Sequence, residues 1–147
     1  MIRPATLEDA FNLAPRLRHA DRVELEAQGH MFMDVILAES IAMSAECMAF
    51  ELEGQVHAVF GVASAGKYGV PWMLGSDQLF NHRKALLTLP RDYVPRWLKQ
   101  YGFLMNMVHA DNHQSIRWLR RIGFTIEAPV QEPGGVFHPF TMRTAHV

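Results

Sequence analysis

The chain has a single cysteine, Cys47, among 147 residues. It cannot close an internal disulfide, and without a second thiol it forms neither a CxxC redox pair nor a thiolate zinc set. Core packing is its expected role. Long apolar runs are missing too. None approaches the roughly 20 residues that span a bilayer, and the Arg3-Pro4 and Glu8-Asp9 start does not resemble a secretory signal. The expectation is a cytoplasmic protein with no membrane partner. Nor is there a Ser/His/Asp or Cys/His set that suggests covalent catalysis. His109 and His113 have a four-residue spacing, but Asp111-Asn112 puts them across a strand-to-helix junction, and no third ligand has a suitable spacing.

An excess of charge of either sign is also lacking, since the formal net charge is -1. The two halves differ, however. Residues 1 to 80 hold 5 Lys/Arg against 11 Asp/Glu, and residues 82 to 121 hold 8 against 2. A basic block of this kind fits a phosphate-bearing ligand or nucleic acid, and equally a solvated helix face. Aromatic interleaving there comes only from Trp97 and Trp118. The 49% apolar and 20% charged content is ordinary for a globular protein, and the length suits one domain over residues 1 to 147.

The order of elements follows from periodicity and punctuation. Ile2 to Ala5 suits a first strand, and Thr6 with Asp9 makes a box-like helix start. Pro15 limits that helix to about residues 7 to 13, and a second helix runs from about Asp21 to a stop at Gly29. Residues 31 to 46 form a further helix, with Phe32, Met33, Ile36, Leu37 and Ile41 on one stripe. CMAFELEG and QVHAVFGVA then read as a hairpin turning at Glu53-Gly54-Gln55, and VPWMLGSD as a third strand of the meander. The helical region after it is expected in two pieces, because Pro90 and Pro95 suit helix starts rather than interiors. YGFLMNMVHA is an apolar strand, and TIEAPV and VFHPFTMRT close the chain as a hairpin around Glu132-Pro133-Gly134-Gly135. The expected fold class is α+β on one mixed, mostly antiparallel sheet flanked by helices.

Between that apolar strand and the closing hairpin lies NHQSIRWLRRIGF, residues 112 to 124. Asn112 suits an N-cap and Gly123 a C-terminal stop. Ile116, Leu119 and Ile122 should face the sheet, while Arg117, Arg120 and Arg121 stay outward, where they complement the helix dipole. Asn112 and Ser115 have two readings, as cap and packing residue or as ligand contacts. Asp77 ends the third meander strand, where it is either a candidate proton acceptor or an exposed start for the next helix.

The element order and the spacing Asn112, Ser115, Trp118, Leu119, Gly123-Phe124 resemble the GNAT superfamily of acyl-CoA-dependent N-acetyltransferases. The resemblance implies an acyl-CoA N-acyltransferase fold, acetyl-CoA as cofactor, Asn112 and Ser115 beside it, and Asp77 as the catalytic carboxylate. Two features depart from the pattern. The tyrosine that often serves as general acid is Leu119, and the Gln/Arg-x-x-Gly-x-Gly/Ala loop is replaced by Phe80-Asn81-His82-Arg83-Lys84-Ala85. Without glycines there, backbone N–H groups cannot close around a pyrophosphate, which leaves Arg83 and Lys84 to hold phosphate by side-chain charge.

A narrower resemblance shares both departures. WMLGSDQ at Trp72 to Gln78, the basic helix after it, and Asn112 through Gly123 resemble small GNAT-like proteins that autographivirus-type podophages encode beside their internal virion proteins. This implies a degenerate acyl-CoA site that binds acetyl-CoA weakly or not at all. It also implies a role in virion assembly through phage or host protein partners, in the host cytoplasm or the virion. An acetyl-CoA-dependent N-acetyltransferase acting on a protein or small amine is the alternative, and a nucleic-acid-binding module the third class.

Overall fold

The stretch QVHAVFGVASA is apolar at nearly every position, and it folds as a strand covered on both faces. In the computed structural model, which describes residues 1–144, the order is β1 (Ile2–Pro4), α1 (Leu7–Leu13), α2 (His19–Ala27), α3 (Met33–Met43), β2 (Glu46–Leu52), β3 (Gln55–Ala65) and β4 (Tyr68–Gly75). Then come α4 (Arg83–Tyr101), β5 (Phe103–His109), α5 (His113–Arg121), β6 (Thr125–Ile126), β7 (Val130–Glu132) and β8 (Gly135–Arg143). One sheet holds all eight strands in the order β1-β2-β3-β4-β5-β8-β6, with β7 also paired to β8. Every pairing is antiparallel except β4 with β5. This is the expected α+β class.

Two cores follow from the pleat. Phe60 and Val62 face α4 and α5, where they meet Leu86, Leu89, Trp97, Ile116 and Leu119. Val59 faces the other way, toward Leu13, Leu25, Met33 and Leu37 of α1 to α3. Cys47 packs at the edge of this second core, where burial pushes its thiol up to about 12. Local signals set most boundaries. Thr6 N–H donates to Asp9 Oδ2 at 2.7 Å at the start of α1, and the β2–β3 turn uses left-handed φ at both Glu53 and Gly54.

Some expectations need correction. α2 begins earlier than Asp21, at His19, and the 31 to 46 helix shrinks to Met33–Met43. Ser44 adopts ψ 143°, which ends the helix, and Phe32, placed on the buried stripe, is 65% exposed at the N-cap. TIEAPV splits into β6 and β7, both pairing with β8.

The two-piece helix is wrong as well: α4 is continuous through Pro90 and Pro95. Proline at 90 deprives the Leu86 carbonyl of its usual N–H four residues on. Here the indole Nε1 of Trp118 on α5 donates to that carbonyl at 2.8 Å, so the break in the ladder is repaired by another helix. Pro95 likewise takes an N–H from the carbonyl of Arg91, which is an exposed residue.

The β7–β8 turn touches α2. A Cβ on Gly134 would lie 1.5 Å from the Ala27 carbonyl oxygen, so only glycine permits this approach.

Candidate functional site

β4 and β5 run parallel but share one register pair, Gly69↔Leu104, and diverge beyond it. Pro71 supplies a reason. Its carbonyl accepts from Asn106 Nδ2 at 2.8 Å, so residue 71 turns its backbone toward β5, where proline has no N–H to give the ladder. Further along the gap, the Gly75 N–H is held by Asp21 Oδ2, the Met107 N–H by Asn106 Oδ1 and the His109 N–H by Glu24 Oε1. Met73, which by alternation with Pro71 and Gly75 turns its backbone the same way, lies opposite no paired β5 residue.

A cavity of about 420 Å³ occupies this gap and reaches both layers. Arg18, Glu24, Ile36 and Ser40 line it on the side of α2 and α3, and Phe80, Leu86, Tyr93, Trp97 and Trp118 on the side of α4 and α5. The first side is polar and the second almost wholly apolar.

Three charged groups stand at its polar end, spaced three residues apart so that they share one face of α2 and its cap. Arg18 Nη1 donates to Asp21 Oδ1 at 2.8 Å and Nη2 to Gln114 Oε1 at 3.0 Å. Its guanidinium lies 4.3 Å from the centre of the Phe80 ring. Asp21 Oδ2 accepts the Gly75 N–H at 2.9 Å. Burial pushes the Asp21 carboxyl up, against the pull of Arg18 and that N–H. These two side chains are satisfied, and they tie α2 to the end of β4 and to α5.

Glu24 is different. Its Oε1 accepts the His109 N–H at 2.5 Å, yet it belongs to none of the four ion pairs among the described residues. Burial, reinforced by the charge of Asp21, pushes its carboxyl up to about 7, while the His109 N–H, the Asn112 side chain and Arg18 pull the other way. A carboxyl poised near neutrality in a cavity can take up and release a proton at working pH.

Of the residues singled out from sequence, Asn112 and Ser115 line the cavity with Glu24. Asn112 is buried and its Oδ1 accepts the Ser115 N–H at 3.3 Å, as a cap should. Ser115 Oγ lies 3.4 Å from Arg18 Nη1. Leu119 is buried and the three arginines of α5 are exposed. Asp77, Arg83 and Lys84 do not line the cavity. Asp77 is exposed, with its N–H on the Arg16 carbonyl at 3.0 Å. Arg83 and Lys84 are exposed on the first turn of α4, whose N-cap His82 gives no side-chain hydrogen bond. The N–H groups of Asn81 and His82 are spent in a tight turn on Gln78 and Leu79.

Sequence reasoning missed Glu24, Arg18 and Asp21. A signal was available: Arg18, Asp21 and Glu24 recur at helical spacing ahead of Leu25, so that polar groups occupy part of the inward face.

No family model matches the chain, and no curated protein matches it by sequence. Solved structures do match by shape. The ribosomal-protein-S18-alanine N-acetyltransferase from Escherichia coli aligns over 100% of this chain and 95% of its own at TM-score 0.72 and 14% identity. An N-acetyltransferase from Staphylococcus aureus Mu50 aligns over 97% of both chains at 0.72 and 16%. A GNAT superfamily phosphinothricin acetyltransferase from Sinorhizobium meliloti, solved in complex with AcCoA, aligns over 97% of this chain and 87% of its own at 0.73 and 10%. The fold is therefore GNAT-like, that of the acyl-CoA N-acyltransferases. Identity this low carries the fold alone.

Proposed function

We propose that the protein is an acyl-CoA-dependent N-acyltransferase, acetyl-CoA being the simplest donor, acting on an amine of a protein or small molecule. The carrying observation is Glu24: a carboxyl raised to about 7 at the polar end of a cavity that runs through the gap between β4 and β5. In the reaction the acceptor ammonium gives a proton to Glu24, and the free amine attacks the thioester carbonyl. A C–N bond forms, the C–S bond breaks, the tetrahedral nitrogen loses its second proton to water because Glu24 already holds the first, and the thiolate is protonated from solvent. Leu119 cannot supply that last proton.

The donor fits this chain in part. The Met73 backbone on β4 suits an amide of a pantetheine arm, with Asn112 and Ser115 beside it. Its diphosphate meets only Arg83, Lys84 and the open first turn of α4, a salt-sensitive hold. The test is mass-spectrometric detection of acyl transfer from acetyl-CoA to a panel of peptides and amines, with loss of transfer in Glu24→Gln.

A second reading is favoured by the surface. Met31, Phe32 and Val35 at the start of α3 are 82%, 65% and 50% exposed, apolar side chains suited to a protein contact. On that reading the chain is a phage GNAT-like protein with a degenerate site, serving virion assembly. Co-purification with internal virion proteins, lost in Phe32→Asp with Val35→Asp, supports it; absence of any acyl transfer is its other requirement.

A further inference from the structure

We infer that the acyl group this protein transfers is an alkyl chain well beyond two carbons, with a medium-chain acyl thioester as donor. The inference rests on the acyltransferase reading and names its substrate class. The observation is the cavity's apolar limb. Leu86, Leu89, Pro90, Tyr93, Val94 and Trp97 line it at three- and four-residue spacings, a stripe that follows α4 for about 16 Å. An acetyl group placed near Glu24 uses almost none of that length.

Two occupants compete for the limb: the pantetheine arm and the acyl chain. Pantetheine carries two amides, and amides buried without partners are costly. The stripe offers them little. The Trp97 indole N–H is held by Glu46 Oε1 at 2.6 Å and the Trp118 indole N–H by the Leu86 carbonyl, which leaves the Tyr93 hydroxyl as the polar atom along it. The sheet-side lining is Phe60, Phe124 and Phe140, the Phe60 ring meeting Tyr93 edge-on at 5.2 Å between centroids. An alkyl chain needs no hydrogen bonds and gains by leaving water. The amide-bearing arm has the Met73 backbone in the strand gap instead. The thioester carbonyl then lies where the polar and apolar parts of the cavity meet, and the chain runs down α4 toward Trp97.

The experiment compares octanoyl-CoA, acetyl-CoA and free octanoate by calorimetry on the intact chain, and measures acyl transfer from both thioesters. Octanoyl-CoA should bind at least tenfold more tightly than acetyl-CoA and be the preferred donor. Val94→Phe, which fills the limb, should collapse the octanoyl-to-acetyl affinity ratio toward one, while Val94→Ala, which widens it, should keep the ratio. Circular dichroism checks that each variant folds. Equal affinity for the two thioesters, or acetyl preferred in transfer, overturns this inference and leaves the acyltransferase reading intact. Octanoate binding as tightly as octanoyl-CoA assigns the limb to a free fatty acid and also overturns it. Binding of octanoyl-CoA with the Val94 dependence but no transfer sustains the limb's ligand and sinks the catalytic reading. No binding and no transfer overturns both.

Discussion

Replacing Trp118 by phenylalanine should unmask the defect that Pro90 leaves in α4. In the native protein the Leu86 carbonyl has no N–H from residue 90 and accepts instead from Trp118 Nε1 at 2.8 Å. Leu86 is buried, so water cannot easily replace the lost donor. An unsatisfied buried carbonyl costs about 1 to 3 kcal/mol, to which the smaller ring adds a packing loss. Pro90→Ala restores an N–H at residue 90 that can bond the same carbonyl, so in that background Trp118→Phe should cost only the packing part. The coupling between the two substitutions should therefore be about 1 to 2 kcal/mol. Urea unfolding of the four proteins, followed by circular dichroism because a tryptophan is removed, measures it. A cost for Trp118→Phe that agrees in both backgrounds within about 0.5 kcal/mol would refute the idea that α5 repairs α4.

Asn112→Ala should lower stability by about 1 kcal/mol, the usual worth of an N-cap, read from the same unfolding curves. Leu119→Tyr should destabilise by about 1 to 3 kcal/mol through overpacking of a buried position, and should not raise transfer. Gly134→Ala should force the β7–β8 turn away from Ala27, seen as faster hydrogen exchange at the C-terminal end of α2. Glu24 has a folded pKa raised to about 7, above its unfolded value. Its stabilising share is thus present below about pH 4 and is lost as pH rises through 7. Glu24→Gln should remove that slope, gaining on the order of 3 kcal/mol relative to wild type at pH 8.

What the sequence made legible was local. The cap at Asn112, the stop at Gly123, the turn at Glu53-Gly54 and the break at Pro15 each depend on a few adjacent residues, and the structure has all four. The meander β2–β3–β4 was legible because short turns leave few ways to pair, whereas the place of β8 between β5 and β6 was not. The continuity of α4 was not legible, since the group that satisfies the Leu86 carbonyl comes from a different helix. Glu24 was hidden for the same reason. Its environment is made by the His109 N–H at the end of β5 and by Asp21, and only the closed fold brings these together. Asp77 is the converse case, an exposed carboxylate that does not line the cavity. A strand end marks where a carboxylate falls in the chain, but not whether a cavity opens beside it.

The proposed role of Glu24 is to accept the amine proton in acyl transfer. The most direct measurement is kcat/KM for acyl transfer from a CoA thioester, across pH 5 to 9, for wild type and Glu24→Gln. The wild-type rate should rise with pH through about 7, as the carboxyl loses its proton, and should drop by about 10² to 10⁴ in the variant. Wild-type transfer that is unchanged in Glu24→Gln and keeps the same pH profile would contradict it.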